Sequence, residues 1–332
     1  MSELLSYPFM QRALLAALLT GLIAPAIGIY IVQRRLSLLG DGLGHVAIAG
    51  VGLALLTGQA PVPVAVVVCI AGAVAVELLR QQGKATGDVG LAILFYGGLA
   101  AGVLMSGIAG AGAGALAQYL FGSLTSVTGG DLWLIGGLAV VVLVLTIGLS
   151  PQLFAVSTDE EFARTQGLRV RLYNVMIVVL AAVTVTLAMR TVGLLLVSAL
   201  MVVPVAAAQN LVRGLFAALG TAMGIGVAVC VGGAIGAFYA DTAPGALIVV
   251  LAIAVFAVSW PVSVLLRRRR LAPVLPELVD DELVTVPHVE TEQHPHAHGP
   301  GCGHPSVRHG DHDDFIHQGH RHAVHADHYD EH

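Results

Sequence analysis

Long apolar stretches are the main pattern of this chain. They recur from Leu14 to Leu266, and each can cross a hydrocarbon core of roughly 30 Å as an α-helix of about 18 or more residues. This length excludes spanning β-strands, so we predict an all-α integral membrane protein, a polytopic bundle of about eight to nine transmembrane helices. The nine predicted spans cover residues 13–33, 42–58, 62–79, 89–107, 131–149, 172–189, 192–209, 214–237 and 245–266.

The basic residues between the spans predict the orientation of the bundle. When the spans are threaded alternately, only Arg12 and Arg190 fall on one side, and the positive-inside rule makes the other side cytoplasmic. Nine spans then give an outside N-terminus and a cytoplasmic C-terminus, whereas eight spans would move one end. The cytoplasmic group comprises Arg34, Arg35, Arg80, Lys84, Arg164, Arg169, Arg171, Arg213 and Arg267 to Arg270.

A polar stretch between two spans predicts a short cytoplasmic helix. Within residues 151–172, Ser157 or Thr158 can cap a helix that ends at Gly167. Acidic residues in the first turn favour this helix because they oppose the positive end of its dipole. These residues are Asp159, Glu160 and Glu161.

The composition agrees with a membrane protein. Hydrophobic residues make up 56% of the chain and charged residues 11%, far from the roughly 25% charged residues of an ordinary soluble domain. The first apolar run continues into Gln33 and Arg34 without a cleavage site of small residues, so we expect it to be retained. The formal net charge of −5 says little about partners, and we expect membrane lipid but no nucleic acid.

Two ionisable residues interrupt the second span. Asp41 and His45 are four positions apart and therefore share one face of a helix. Such residues are costly in lipid and normally face the bundle interior or a water-filled path. Carboxylate and imidazole groups together suit zinc or manganese. We predict that both line a metal path, with a two-fold symmetric dimer supplying four ligands. The alternative is that Asp41 caps the helix and His45 makes a buried hydrogen bond.

Four blocks of the sequence resemble the permeases of the zinc and manganese ABC importer family. They read RRLSLLGDGLGHVAIAGVG from Arg34, QYLFGSLTSVTGGDLW from Gln118, VGLLLVSALMVVPVAAA from Val192 and AFYADTAPGALIVV from Ala237. The resemblance covers about residues 8 to 266 and implies that Asp41 and His45 match the family's metal-path pair. The sequence departs from the pattern at Gly44 and Val46, which leaves zinc and manganese undecided.

The resemblance also implies an assembly in a bacterial plasma (inner) membrane. Its parts would be two permease copies, expected as a homodimer, two cytoplasmic ATPase subunits and an extracellular metal-binding protein. The segment from Asp159 to Gly167 looks like the coupling element that docks on the ATPase. Its residues for this role would be Asp159, Glu160, Glu161, Ala163 and Gly167. The chain has no Gly-x-x-x-x-Gly-Lys-Ser/Thr phosphate-binding loop, so we expect a non-catalytic subunit and ATP hydrolysis by a partner.

The C-terminal part has a different composition. We divide the chain into a permease domain, residues 1–270, and a cytoplasmic tail, residues 271–332, which we expect to be largely disordered unless metal binds. Thirteen of the 14 histidines lie in this tail, and they could buffer arriving ions or report cellular metal. The candidate ligands are His294, His296, His298, Cys302, His304, His309, His312, His317, His320, His322, His325 and His328, the tightest cluster running from His296 to His304.

Other polar residues in the spans have simpler interpretations. Glu77 lies near the cytoplasmic end of its span, where it can reach Arg80. Ser198, Met201 and Pro204 could line a path, but Ser and Met in a span are more often packing residues, and we assign no site to them.

Sequence therefore favours an importer permease for a divalent metal, expected to be Zn²⁺, with no permanently bound cofactor. A histidine-rich tail favours zinc over manganese, which prefers oxygen ligands. The alternatives are a manganese or iron permease of the same family, or a proton-coupled secondary carrier. Such carriers usually place ligand pairs on two helices, and this chain has one clear pair. A metal store anchored by spans is a third alternative, but nine spans exceed what an anchor needs.

Overall fold

A computed structural model describes residues 7–82, 87–111, 113–122, 129–189, 192–270, 303–309, 312–317, 320–325 and 328–331. Each of the nine predicted apolar segments coincides with helix, which confirms the all-α membrane class. The helices are α1 (Pro8–Gln33), α2 (Leu39–Thr57), α3 (Pro61–Gln81), α4 (Gly87–Ala92), a π-helical turn (Ile93–Gly97), α5 (Gly98–Ile108), α6 (Ala113–Phe121), α7 (Gly129–Gly148), α8 (Ser150–Thr158), α9 (Glu160–Thr165), α10 (Val170–Ala188), α11 (Leu194–Leu211), α12 (Leu215–Ala240) and α13 (Pro244–Arg270).

The described residues contain seven helices long and apolar enough to cross a membrane, or eight if a bent pair forms one span. The bent pair is α7 and α8, which meet at 69° where Pro151 opens the second helix. Proline is compatible with a first helical turn but not with a helix interior, so the chain turns here. Helix α11 is apolar but shorter than the seven, and α7 and α11 account for the difference from nine.

The outer faces of the bundle are apolar. In α13, only 22% of the most apolar window is buried, although its mean hydropathy is 2.5. The indole rings of Trp133 and Trp260 are also largely exposed. A soluble protein would not leave such helices uncovered, whereas a bilayer covers them at no cost.

Small residues let the central helices approach closely. Helix α1 packs against α7, α10, α11 and α12. A side chain at Gly28 would collide with the carbonyl oxygen of Met201 in α11, and one at Gly21 with the backbone of Gly226 in α12. This close packing is how membrane helices gain dispersion contacts where lipid offers no hydrophobic drive.

The chain divides into two compact units, Met1–Arg270 and Leu271–His332, which are described separately. The second unit contains an antiparallel sheet of order β1-β2-β3-β4, where composition led us to expect disorder. Its strands are β1 (Ser306–His309), β2 (His312–His317), β3 (His320–His325) and β4 (His328–Glu331). Apolar residues such as Val307, Phe315 and Val324 recur among the polar ones, and two residues separate each pair of consecutive strands, as in short hairpins.

Candidate functional site

Asp41 lies in the first turn of α2, directly after the connection from α1. Gly40 lets α11 come close, since a Cβ at this position would lie 3.1 Å from the Cβ of Ser198. Through this approach the Ser198 hydroxyl donates a hydrogen bond of 2.5 Å to Oδ1 of Asp41. A carboxylate in the first turn of a helix is also stabilised by the positive end of the helix dipole.

His45 lies one turn deeper in α2 and is 6% exposed. Its Nδ1 is 2.8 Å from the carbonyl oxygen of Asp41. Because a carbonyl only accepts, this bond requires the proton on Nδ1, and Nε2 then carries the lone pair that a metal needs. The alternative drawn from the sequence was that Asp41 caps α2 and His45 makes a buried hydrogen bond. The hydrogen bond of His45 is present, but the Asp41 side chain does not cap α2.

A cavity of about 280 Å³ opens beside the first turn of α2. Asp41 is in its wall, whereas His45 is not among the residues that line it. The ring of Phe95, in the π-helical turn, lines the cavity and also lies against His45, with ring centroids 3.9 Å apart. The structure thus brings Asp41 to the cavity and covers the imidazole with Phe95. The other lining residues are Leu38, Gly42, Leu91, Ala92 and Tyr96.

The described residues contain no group of three or more His, Cys, Asp or Glu side chains arranged to hold a metal ion. The predicted pair, Asp41 and His45, would supply two ligands from one chain. A four-coordinate ion would need further ligands from water or from another chain.

The predicted cytoplasmic helix is present as α9, but its cap differs from the prediction. Asp159 is the N-cap, and its side chain accepts hydrogen bonds from the backbone of Glu161 and Phe162 at 2.9 Å. Ser157 and Thr158 instead belong to α8, and the Ser157 hydroxyl bonds back to the carbonyl of Leu153. The predicted cap at Ser157 or Thr158 is wrong because the bend ends α8 at Thr158 and leaves Asp159 extended.

Gly167 follows α9 with a φ of +79°, as predicted for the residue that ends it. Leu168 N–H bonds to the carbonyl of Ala163, which closes the helix in the manner of a Schellman motif. Ala163 is buried in a small apolar cluster with Val156 and Val170. The opposite face of α9 is open, with Phe162 57% exposed.

Glu160 faces the ends of the spans. Its Oε1 lies 3.3 Å from Nη2 of Arg34, which follows α1, and 3.7 Å from Nη2 of Arg80, in the last turn of α3. Asn174 in α10 donates to the same oxygen at 2.9 Å. Glu77 in α3 accepts from Nε and Nη2 of Arg80 at 2.9 Å, which confirms the predicted reach between these two residues.

The guanidinium of Arg34 is the most enclosed cation of this group, with its side chain 4% exposed. Burial, and after it the charge of Arg80, lowers the pKa of Arg34 from its ordinary value, while Glu77 and Glu160 oppose this shift. Removing either acid would leave a buried positive charge with weaker compensation. We call Arg34, Glu77, Arg80 and Glu160 the ion-pair cluster.

The predicted tail ligands fall in two groups. His294, His296, His298 and Cys302 lie outside the described residues. His304 lies two residues before β1, and the remaining candidates are on the strands. The register pairs His309 with His312, His317 with His320, and His325 with His328, so each hairpin closes on two histidines. The seventh strand residue among the candidates, His322, pairs with Phe315.

The fold and site together define a helical membrane permease with a short cytoplasmic-type helix between two spans. Residues 6–263 match the family model described as ABC 3 transport family. The chain belongs to this family, and thus is a permease of a metal ABC transporter in a bacterial plasma membrane.

Several known proteins are similar to the chain. The manganese transport system membrane protein MntC of Halalkalibacterium halodurans is 32% identical over 259 residues, which cover 78% of this chain and 88% of that protein. The high-affinity zinc uptake system membrane protein ZnuB of Haemophilus influenzae is 29% identical, with 78% and 97% covered. The solved structure of PsaBC from Streptococcus pneumoniae in complex with Fab has a TM-score of 0.73 at 27% identity, with 81% and 98% covered.

Sequence reasoning left out two residues of the site. Ser198 was interpreted as packing, and Phe95 was not considered. The only signal for Phe95 was an aromatic residue within an apolar span, and for Ser198 a hydroxyl in a short span. Both become site residues through contacts with α2 that no local pattern shows.

Proposed function

We propose that this chain forms the inward path for Zn²⁺ in an ATP-driven importer, with Asp41 and His45 as its ligands on the path. The observation that carries the proposal is Asp41 in the wall of the cavity, with His45 on the same helix one turn away and its Nε2 left to accept. Imidazole in the ligand set favours zinc, and the relatives are named for zinc and for manganese.

The energy for this transport would come from ATPase subunits docked on the open face of α9. Phe162 presents an apolar side chain there, beside the exposed carboxylate of Glu161 and with Asp159 at the start of the helix. Ala163 packs α9 into the small apolar cluster, and Gly167, with its positive φ, ends the helix. An extracellular binding protein would deliver the ion to the other side of the membrane.

A second copy of the chain would complete the path. One chain supplies two ligands, and the described residues offer no third, so a symmetric pair would double the set. The manganese permease is the second candidate function, because a mixed oxygen and nitrogen set also accepts Mn²⁺. A secondary carrier is less well supported, since the described residues of the spans contain no second ligand pair.

The direct test is uptake of radioactive zinc in metal-starved cells. Three strains would be compared: the intact strain, one without this gene and one whose partner ATPase carries an inactivating substitution. The proposal requires that uptake falls equally in both mutants and that excess unlabelled Zn²⁺ competes better than Mn²⁺. Uptake that survives loss of the ATPase would favour a secondary carrier, and better competition by Mn²⁺ would make the chain a manganese permease.

We further propose that the tail binds metal on the cytoplasmic side. Residues His309, His312, His325 and His328 support this: the register pairs them two by two, and its continuation from Asp314 opposite Ala323 sets His312 opposite His325. Four histidines then occupy one row across the sheet. Adjacent strands are about 4.8 Å apart, a spacing at which neighbouring imidazoles can share an ion.

This tail proposal is tested by the zinc content of the full-length protein in detergent. Replacing the four histidines of the row by Asn should lower the zinc bound per chain, because imidazoles on adjacent strands could no longer share an ion. The control replaces His288 and His332, two tail histidines that are not among the candidate ligands, in the same way. Equal zinc content in the row variant and the unsubstituted chain would contradict the assignment.

A further inference from the structure

The ion-pair cluster joins three separate parts of the bundle, and a hydrogen bond adds a fourth. Arg34 follows α1, Glu77 and Arg80 end α3, and Glu160 begins α9. Asn174 of α10 completes the contacts by donating to Glu160. The formal charges of the four ionised groups cancel, so the cluster is neutral only while all four are present.

Among the described residues, Glu160 makes the ion pairs that join α9 to the ends of α1 and α3. The small apolar cluster around Ala163 also holds α9 in place. Glu161, the next residue, is exposed, and its backbone N–H bonds to the side chain of Asp159. The two acids of this turn thus have different roles although they carry the same charge.

Arg34 is placed to pass a displacement onward to the metal path. Only seven positions separate it from Asp41, and the connection between them is tightly structured. Arg35 has a φ of +57°, Leu36 N–H bonds to the carbonyl of Ile31, and Leu39 N–H bonds to that of Leu36. A connection fixed by its own hydrogen bonds has little slack to absorb a movement of Arg34.

From this arrangement we infer that Glu160 and Arg34 are positioning residues, which transmit movement of α9 to the first turn of α2. Pressure on the open face of α9 moves Glu160, the Glu160–Arg34 pair carries the movement to the connection, and the connection shifts Asp41. Glu77 and Arg80 keep the pair neutral and fix its position. This inference rests on the proposed function, since it requires an ATPase acting on α9.

The test is the ratio of metal transported to ATP hydrolysed. The whole complex would be purified through a tag on this chain and reconstituted in liposomes of bacterial lipid, with radioactive zinc as probe. Glu160→Gln keeps the size of the side chain and the acceptor for Asn174 but removes the charge. We expect the ratio to fall about 10-fold, with ATP hydrolysis within about 2-fold of the unsubstituted complex.

Two variants separate transmission from a merely structural role. Asp241→Asn removes a carboxylate from the exposed end of α12, outside both α9 and the ion-pair cluster, and should leave the ratio within about 2-fold. Glu160→Asp keeps the charge and should restore most of the ratio. Uptake and hydrolysis that fall together in Glu160→Gln, with an unchanged ratio, would overturn the inference and leave Glu160 a structural residue.

An unchanged ratio and unchanged uptake in Glu160→Gln would also overturn it. Failure of the proposed function has a different signature, since the unsubstituted complex would then show no ATP-dependent zinc uptake. The inference is supported only when the unsubstituted complex couples, Asp241→Asn couples and Glu160→Gln does not.

Discussion

Two groups of polar side chains, at the start of α2 and in the ion-pair cluster, differ in their contacts. At the start of α2, Asp41 accepts one hydrogen bond from a hydroxyl, and His45 donates one to a carbonyl. In the ion-pair cluster, Glu77 alone receives three side-chain hydrogen bonds, two from Arg80 and one from Gln81. Buried charges with several charged partners hold the helix ends together. Buried polar groups with few partners keep the capacity to bind an ion.

The largest effect should follow from neutralising Asp41. Asp41→Asn preserves size and an acceptor for Ser198 but removes the charge that attracts a divalent cation. We expect zinc uptake to fall about 100-fold, close to 2.7 kcal/mol of lost stabilisation. Initial uptake rates in metal-starved cells measure this.

Asp241→Asn is the matched control for Asp41. Asp241 is exposed and has a φ of +50°, a conformation that asparagine adopts readily. This control should transport normally. Uptake by Asp41→Asn at more than half the control rate would show that Asp41 is not a ligand on the path. The functional difference between the start of α2 and the ion-pair cluster would then be unsupported.

The next effect concerns His45. His45→Gln keeps a donor for the Asp41 carbonyl but removes the imidazole nitrogen, so we expect uptake to fall about 20-fold. His304→Gln, a histidine replacement before strand β1, serves as control for initial rate. If His45→Gln transports normally, His45 serves only to donate a hydrogen bond to the Asp41 carbonyl, and its assignment as a metal ligand is wrong.

Removing the Ser198 hydroxyl should have a smaller effect. Ser198→Ala leaves Asp41 charged but without its donor, so we expect the zinc concentration for half-maximal uptake to change about 4-fold, or about 0.8 kcal/mol, at a similar maximal rate. The control is Ser263→Ala, since that hydroxyl bonds to the carbonyl of Trp260 within its own helix. A loss of maximal rate equal to that of Asp41→Asn would show that Ser198 does more than orient the carboxylate.

The smallest effect on transport should come from the tail. Deleting residues 288–332 leaves both buried sites intact, so the initial rate of zinc uptake should stay within about 2-fold. Zinc retained after a chase with chelator should fall. An inactive deletion with normal amounts of protein in the membrane would make the tail part of the transport machinery.

Features that depend on local sequence were predictable, and those that depend on long-range packing were not. Hydropathy located the helices, and Glu77 and Arg80 were paired because three positions separate them on one helix. Ser198 and Asp41 are 157 positions apart, and Arg34 and Glu160 are 126 apart. No periodicity of the sequence brings such residues together.

One local prediction failed for an identifiable reason. The cap of α9 was placed at Ser157 or Thr158 because both can cap a helix. After the bend that follows α7, both residues belong to α8, and Asp159 caps α9. The strands of the tail were hidden by a polar composition. A spacing of eight residues between His-x-x-His pairs, from His309 to His328, was the available signal for hairpins.

The close contacts of Gly28 and Gly21 have a consequence for reading the effects of mutations. Any side chain there would force α1 away from α11 or α12. A scan of all substitutions would therefore find these glycines as intolerant as Asp41, although neither glycine carries chemistry. Measuring protein abundance alongside growth on scarce zinc separates the two kinds of position, because a glycine variant loses the protein and an Asp41 variant loses only its transport.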